Sequence, residues 1–100
     1  MERTITVSYN TEISKKVKIP IIVTGVRRTF YSTAKALESF GYVRVCGFRS
    51  HPGNSIESVI SECLIPRLND AGIYDIKAVN VLTRDDDSNF FDVYAPRKNN

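Results

Sequence analysis

Arginine and hydroxyl side chains gather where two predicted strands lead into helices, and they are the strongest candidates for binding chemistry. One set follows the apolar residues 19–23, and the other follows residues 42–48. The two sets, with one aromatic residue just inside the first helix, are Arg27, Arg28, Thr29 and Tyr31, then Arg49, Ser50, His51, Asn54 and Ser55. A guanidinium offers a fork of donors that matches phosphate oxygens, and a helix N-terminus supplies free N–H groups. These residue types therefore predict an anion-binding crevice.

Aromatic residues beside these arginines extend the prediction to nucleic acid. Phe30, Tyr31 and Phe48 are close to the arginines in sequence, and aromatic rings stack on bases. Charge supports the same interpretation, because residues 1–50 carry nine Lys/Arg against three Glu, whereas residues 51–100 carry five against eight Asp/Glu. We therefore expect a small, non-catalytic module that binds nucleic-acid phosphates through its basic half.

Two other functions remain open at this stage. The chain also suits a protein-binding module or inhibitor that uses an open sheet face or the acidic residues 83–89. A phosphoester-acting enzyme would need His51, the only histidine and the only conventional proton-transfer group near neutral pH. Because no nucleophile is evidently paired with His51, we do not expect catalysis. The simplest alternative is that the basic loops are solvated and their hydroxyls cap helices.

Recognised cofactor and metal motifs are missing from the sequence. The glycine-lysine pattern of a P-loop and the glycine pattern of a dinucleotide site are both absent. The acidic residues 85–89 resemble the start of an EF-hand loop, but Phe90 and Pro96 stand where glycine and glutamate are needed. His51 has no cysteine at zinc-finger spacing. We therefore expect neither a metal nor a cofactor.

The length and the composition are those of one small globular domain over residues 1–100, and we expect residues 96–100 to fray. The composition is 42% hydrophobic and 25% charged, and no apolar run reaches the ~18 residues of a membrane span. No signal-peptide pattern begins the chain, so a cytoplasmic location is the default expectation. The two cysteines, Cys46 and Cys63, lie on apolar stripes, which predicts free thiols in the core.

Hydrophobic periodicity predicts the element order ββαβαββ. Strands are expected over residues 3–9, 15–23, 42–48, 73–82 and 90–94, the first two as an antiparallel hairpin. A helix capped by Thr29 should end at Gly41, and a second, beginning near Asn54, should bend or break at Pro66 before ending at Gly72.

This order favours an α/β (α+β) two-layer sandwich with a mixed five-stranded sheet and two helices on one face. The second and third strands should be parallel neighbours, because one helix connects them. Their C-terminal ends would then bring both basic loops into one crevice. The uncovered sheet face would be apolar and could form a homodimer. A ferredoxin-like split βαβ arrangement is the second possibility.

Overall fold

The computed structural model describes residues 11–97, which form a mixed four-stranded sheet with helices on both faces. The elements, in chain order, are α1 Thr11–Val17, β1 Ile21–Thr24, α2 Arg27–Ser39, β2 Tyr42–Ser50, α3 over residues 56–70, β3 Ala78–Thr83 and β4 Asn89–Pro96. The mixed α+β class is confirmed. The described residues contain four strands and three helices, where five strands and two helices were expected. The strand expected over residues 3–9 lies outside the described residues.

The strands lie in the order β1-β3-β4-β2 across the sheet. β1 and β3 are parallel, and β4 is antiparallel to both β3 and β2. β1 and β2 therefore run in the same direction, as expected, but they occupy opposite edges. Their predicted adjacency is wrong. A helical crossover requires only that the strands it joins be parallel, and here the β3–β4 hairpin lies between them.

The helices pack on opposite faces, so the prediction that both cover one face is also wrong. On one face, Leu37 of α2 packs with Ile22, Ala78 and Tyr94. The larger core on the other face combines residues of α3 with alternate residues of the strands, namely Val59, Ile60, Leu64 and Leu68 with Ile21, Val79, Val81, Phe91 and Val93. The crossover from β1 to β2 and the one from β2 to β3 run in opposite directions along the sheet. Right-handed crossovers of that kind place their helices on opposite faces.

Residues 15–18 do not continue a strand, because residues 11–17 form α1. Ile13 and Val17 are spaced four apart and both pack against the larger core, whereas Lys16 is exposed and pairs with Glu57 of α3 at 2.5 Å. The helix ends where Lys18 takes a φ of 60°. A short amphipathic helix thus replaces only the beginning of the predicted second strand, whose later residues lie in β1.

The helix α3 passes through Pro66 without dividing. Its α-helical turns Ile56–Ser58 and Ile65–Asp70 flank a π-helical segment, Val59–Leu64, in which the Ile65 N–H donates to the Ile60 carbonyl. The predicted irregularity is therefore present as a π segment rather than as a break. The extra residue rotates the helix, so Leu64 is buried and Cys63 is exposed. The core-thiol prediction is wrong for Cys63.

Several element boundaries also differ from expectation. Thr29 does not cap α2, which begins at Arg27 after Val26 and has no side-chain cap. Residues 73–77 precede β3 without being part of it. At the other end of the sheet the Arg97 N–H donates to the Gly41 carbonyl at 3.2 Å, so the chain remains paired beyond residue 96. None of the helices in residues 11–97 is long and apolar enough to cross a membrane.

Candidate functional site

Three chain segments meet at the edge of the sheet where β1, β2 and β3 end. Because these strands run in the same direction, their C-terminal ends lie on one side. The segments are residues 24–28 after β1, residues 49–55 at the end of β2, and the hairpin turn, residues 83–89. We call this side the C-terminal edge; it lies at the ends of the strands and not along an outer strand. The hairpin turn occupies its middle, between the two basic segments predicted from the sequence.

The two predicted sets of site residues share the C-terminal edge but do not form one crevice. Arg27, Arg28 and Thr29 are exposed in the first turn of α2, next to β1, whereas Arg49 lies at the end of β2. Three strand spacings of ~4.8 Å separate β1 from β2, so the sets are roughly 14 Å apart. The acidic turn lies between them.

Two of the predicted hydroxyls are used within the fold. The Ser50 side chain is buried, and its oxygen accepts from Asn89 Nδ2 at 3.4 Å. Ser55 caps α3, because its Oγ accepts the Ser58 N–H at 3.1 Å. His51 and Asn54 are exposed, and within residues 11–97 no hydrogen bond reaches the side chain of either. The predicted cluster at residues 49–55 is thus mostly the segment that leads into α3.

The aromatic ring of Phe90 joins arginines from two separate segments. The Arg49 guanidinium carbon lies 5.5 Å from the centre of this ring, and that of Arg84 lies 5.3 Å from it. Arg49 is directly opposite Phe90 in the β2–β4 register, and Arg84 immediately follows β3. In the described part of the chain neither guanidinium has a salt bridge or a hydrogen bond. Both are therefore held against a ring with their donors free.

A β-bulge in β2 decides which arginines share this surface. The register of β2 against β4 shifts between Arg44 and Cys46, so one extra residue is inserted there. In an unbroken strand Arg44 and Arg49 would face opposite ways, because their separation is odd. The bulge brings both to the α2 side of the sheet, where Arg44 Nη1 donates to Asp92 Oδ1 at 3.3 Å. Arg84 and Phe90 were not among the site residues predicted from the sequence, because only the β2–β4 pairing brings them to Arg49.

A pocket of about 370 Å³ opens between the β1 loop and the hairpin turn. Charges of both signs line it, together with backbone and apolar groups, from Gly25, Arg27, Leu82, Thr83, Arg84, Asp85 and Asp86. Arg84 therefore borders both this pocket and the Phe90 ring. The pocket connects the arginine that follows β1 to the pair that flanks Phe90.

The hairpin turn is fixed by the carboxylate of Asp86. This group accepts the Ser88 hydroxyl at 2.5 Å and the Ser88 N–H at 3.0 Å, and Asp87 takes a φ of 65° beside them. The hydrogen bond from the Ser88 hydroxyl is the largest cause of a lowered pKa of Asp86, and the bond from the Ser88 N–H is the second. The charges of Arg84 and Arg49 act in the same direction. Asp86 is therefore ionised at neutral pH and offsets part of the arginine charge.

A buried amide ties the first turns of α2 to the sheet. Asn80 is fully buried in β3, and its Nδ2 donates to the Phe30 carbonyl at 3.0 Å. Tyr31, the next residue, is 56% exposed and packs edge-on against the Phe30 ring. The amide thereby fixes the helix segment that presents Arg27 and Tyr31.

No group of three or more His, Cys, Asp or Glu side chains in residues 11–97 is arranged to hold a metal ion. Comparison with known proteins found no matching family model, no similar curated protein and no similar solved structure.

Proposed function

We propose that the protein binds the phosphates of single-stranded nucleic acid through a row of arginines along the C-terminal edge. The row consists of Arg27, Arg84 and Arg49, and Phe90 and Tyr31 are the accompanying aromatic residues. The observation that carries the proposal is that Arg49 and Arg84, both without a salt bridge in residues 11–97, lie within 5.5 Å of one ring.

Two guanidiniums at one ring repel each other, and an anion between them would relieve that repulsion. Each guanidinium carries five N–H donors, and none of those of Arg49 or Arg84 is used by described residues. Phosphate oxygens accept two such bonds side by side, which makes arginine suited to this ligand. The Phe90 ring restricts both side chains, so less conformational freedom is lost when a phosphate binds.

The length of the row indicates a polymer rather than a single phosphate. Arg27 follows β1, Arg84 follows β3, and Arg49 lies at the end of β2, so the row crosses the whole sheet, roughly 14 Å. Tyr31 is exposed beside Arg27 and can stack on a base without rearrangement. Single-stranded nucleic acid offers both phosphates and unstacked bases along such a surface.

The acidic turn limits the affinity that this site can reach. Residues 85–87 bring three carboxylates to the middle of the row, and like charges oppose an anionic partner. We therefore expect modest affinity, with two or three phosphate contacts. Arg28 and Thr29 lie beside Arg27, and His51 and Asn54 lie beyond Arg49, so these residues would border the ligand.

The test is a titration of a fluorescently labelled single-stranded oligonucleotide at several salt concentrations. Wild type should bind more weakly as salt rises, and Arg49→Ala and Arg84→Ala should each reduce the slope of log K against log salt by about 0.7, the value per phosphate contact on single strands. Arg67→Ala is the matched control. Arg67 also lacks a salt bridge within the described residues and lies 5.3 Å from a ring, that of Phe48, on the opposite sheet face.

Equal effects of Arg67→Ala and Arg84→Ala would show that only overall charge matters, and the proposed site would then be wrong. Salt-independent behaviour of wild type would likewise overturn it. The second candidate, a protein-binding module, is favoured by the hydrogen bonds that hold the acidic turn in one shape. Tight, weakly salt-dependent binding to a protein, lost on Asp85→Ala, would place that function first.

A further inference from the structure

We propose that a second copy of this chain pairs with the free edge of β2, antiparallel and in one register, to form a twofold dimer. β2 has nine residues, Tyr42–Ser50, and pairs with β4 along one side only. Within residues 11–97 no main-chain group pairs with its other side. The inference does not depend on the proposed nucleic-acid function.

The bulge determines which main-chain groups of β2 face outward. The Arg97 N–H donates to the Gly41 carbonyl, so the main-chain N–H and C=O groups of Gly41 and Val43 point towards β4. Those of Tyr42 and Arg44 point outward. The extra residue then shifts the alternation by one. Beyond the bulge, the outward residues are Gly47 and Arg49.

These four outward residues are arranged symmetrically about the Val45–Cys46 peptide bond. Tyr42 and Arg49 lie equally far from it along the chain, and so do Arg44 and Gly47. A twofold axis through this bond therefore pairs Tyr42 with Arg49 of the second copy, and Arg44 with its Gly47. All four outward residues of each copy then exchange N–H and C=O bonds, about eight in total. A shift of the register by one residue in either direction pairs outward groups with inward ones.

The side chains fit the same register. On the α2 side, Arg49 meets the ring of Tyr42, and Arg44 lies opposite Gly47 of the second copy, over which that copy's own Arg44 guanidinium extends towards Asp92. On the other face, Val43 meets Phe48 of the second copy. A groove of about 530 Å³ adjoins Val43 and is lined by apolar and aromatic groups that include Ile73 and the 74%-exposed Tyr74. The second copy's Phe48 would lie at the opening of this groove.

Charge and the bulge make the pairing selective. Charged residues and bulges usually protect sheet edges from uncontrolled association. Here the bulge leaves a single register that pairs all four outward residues, and twofold pairing uses the β2 edge of each copy, so the assembly closes as a dimer. Arg44 and Arg49 of both copies lie on the same face and repel, although Asp92 partly compensates Arg44. Because salt screens such repulsion, the dimer should become tighter as salt rises, opposite to nucleic-acid binding.

Sedimentation from micromolar to millimolar concentration tests the proposal, with two variants at one position. Arg44→Pro removes an outward N–H without touching the β4 ladder, and it should weaken the dimer by roughly tenfold or more, because symmetry deletes two hydrogen bonds. Arg44→Ala keeps the N–H and removes repulsion, so its dimer should be as tight as wild type or tighter. Equal weakening by both variants would overturn strand pairing.

Amide exchange on the unaltered protein gives an independent measurement if Arg44→Pro fails to fold. The N–H groups of Tyr42, Arg44, Gly47 and Arg49 should exchange more slowly as protein concentration rises. Exchange that does not depend on concentration, or a wild type that remains monomeric at millimolar concentration, would overturn the proposal.

Discussion

Replacing the buried Asn80 tests how a polar group in the core contributes to stability. Asn80 is 0% exposed, its Nδ2 donates to the Phe30 carbonyl at 3.0 Å, and its Oδ1 has no partner among residues 11–97. The Phe30 carbonyl lies inside α2, where the N–H four residues later, on Ala34, also reaches it. Asn80→Leu keeps the branched shape of the side chain, with larger methyl groups in place of the amide oxygen and nitrogen, and should leave the Phe30 carbonyl paired within the helix.

The expected effect of Asn80→Leu is the difference between two opposing contributions. Losing the bond to Phe30 costs about 0.5–1.5 kcal/mol of unfolding free energy, whereas removing an unpaired buried acceptor returns about 1–3 kcal/mol. The balance runs from about 0.5 kcal/mol less stable to about 2.5 kcal/mol more stable than wild type, so we expect the leucine variant to be near or above wild type. Asn80→Ala also removes the unpaired acceptor, but it leaves a cavity that leucine would fill, worth about 2–5 kcal/mol, so it should be less stable than wild type by about 2 kcal/mol.

Asn80→Asp is the third member of the series and should be the least stable at neutral pH. An ionised carboxylate has no donor for the Phe30 carbonyl, and burial of its charge is strongly unfavourable. Burial raises the pKa of such a group, so the variant should lose stability as pH rises through that pKa and recover it in acid.

Urea denaturation followed by far-ultraviolet circular dichroism gives the four free energies of unfolding. The expected order is leucine near or above wild type, then alanine, then aspartate at neutral pH. The reasoning would be refuted if Asn80→Leu were destabilised by more than about 2 kcal/mol, because Oδ1 would then have to contribute a favourable interaction. An Asn80→Asp variant that is as stable as wild type at neutral pH would refute it equally.

Two further predictions concern single groups. Ser88→Ala removes the hydroxyl that chiefly lowers the pKa of Asp86, so a carboxylate titration by NMR should show this pKa moving back towards 3.8. In wild type the stability that Asp86 contributes is present above pH 3.8 and disappears as pH falls through its lower folded pKa. The variant should show a smaller dependence, because the Ser88 N–H and the two arginines still lower this pKa. A thiol reagent near neutral pH should modify the exposed Cys63 well before Cys46, because burial raises the pKa of the Cys46 thiol, and equal rates would contradict the described burial.

The sequence determined local structure wherever the pattern was strong and the partners were near. Helices α2 and α3, strands β2 and β4, and the polar turn between β3 and β4 follow from periodicity and from breakers such as Gly41 and Gly72, both of which have a positive φ. The irregularity at Pro66 also follows from the residue itself, because proline has no N–H. The short helix α1 was mistaken for a strand, because seven residues carry little periodic signal.

Only the tertiary structure decided which strands are neighbours and therefore which charges meet. A crossover specifies that β1 and β2 are parallel, but the position of the β3–β4 hairpin between them depends on how the whole core packs. That position separates Arg27 from Arg49 and brings Arg84 and Phe90 between them. The bulge before Cys46 then turns Arg44 and Arg49 to one face, because one inserted residue reverses the alternation of a strand.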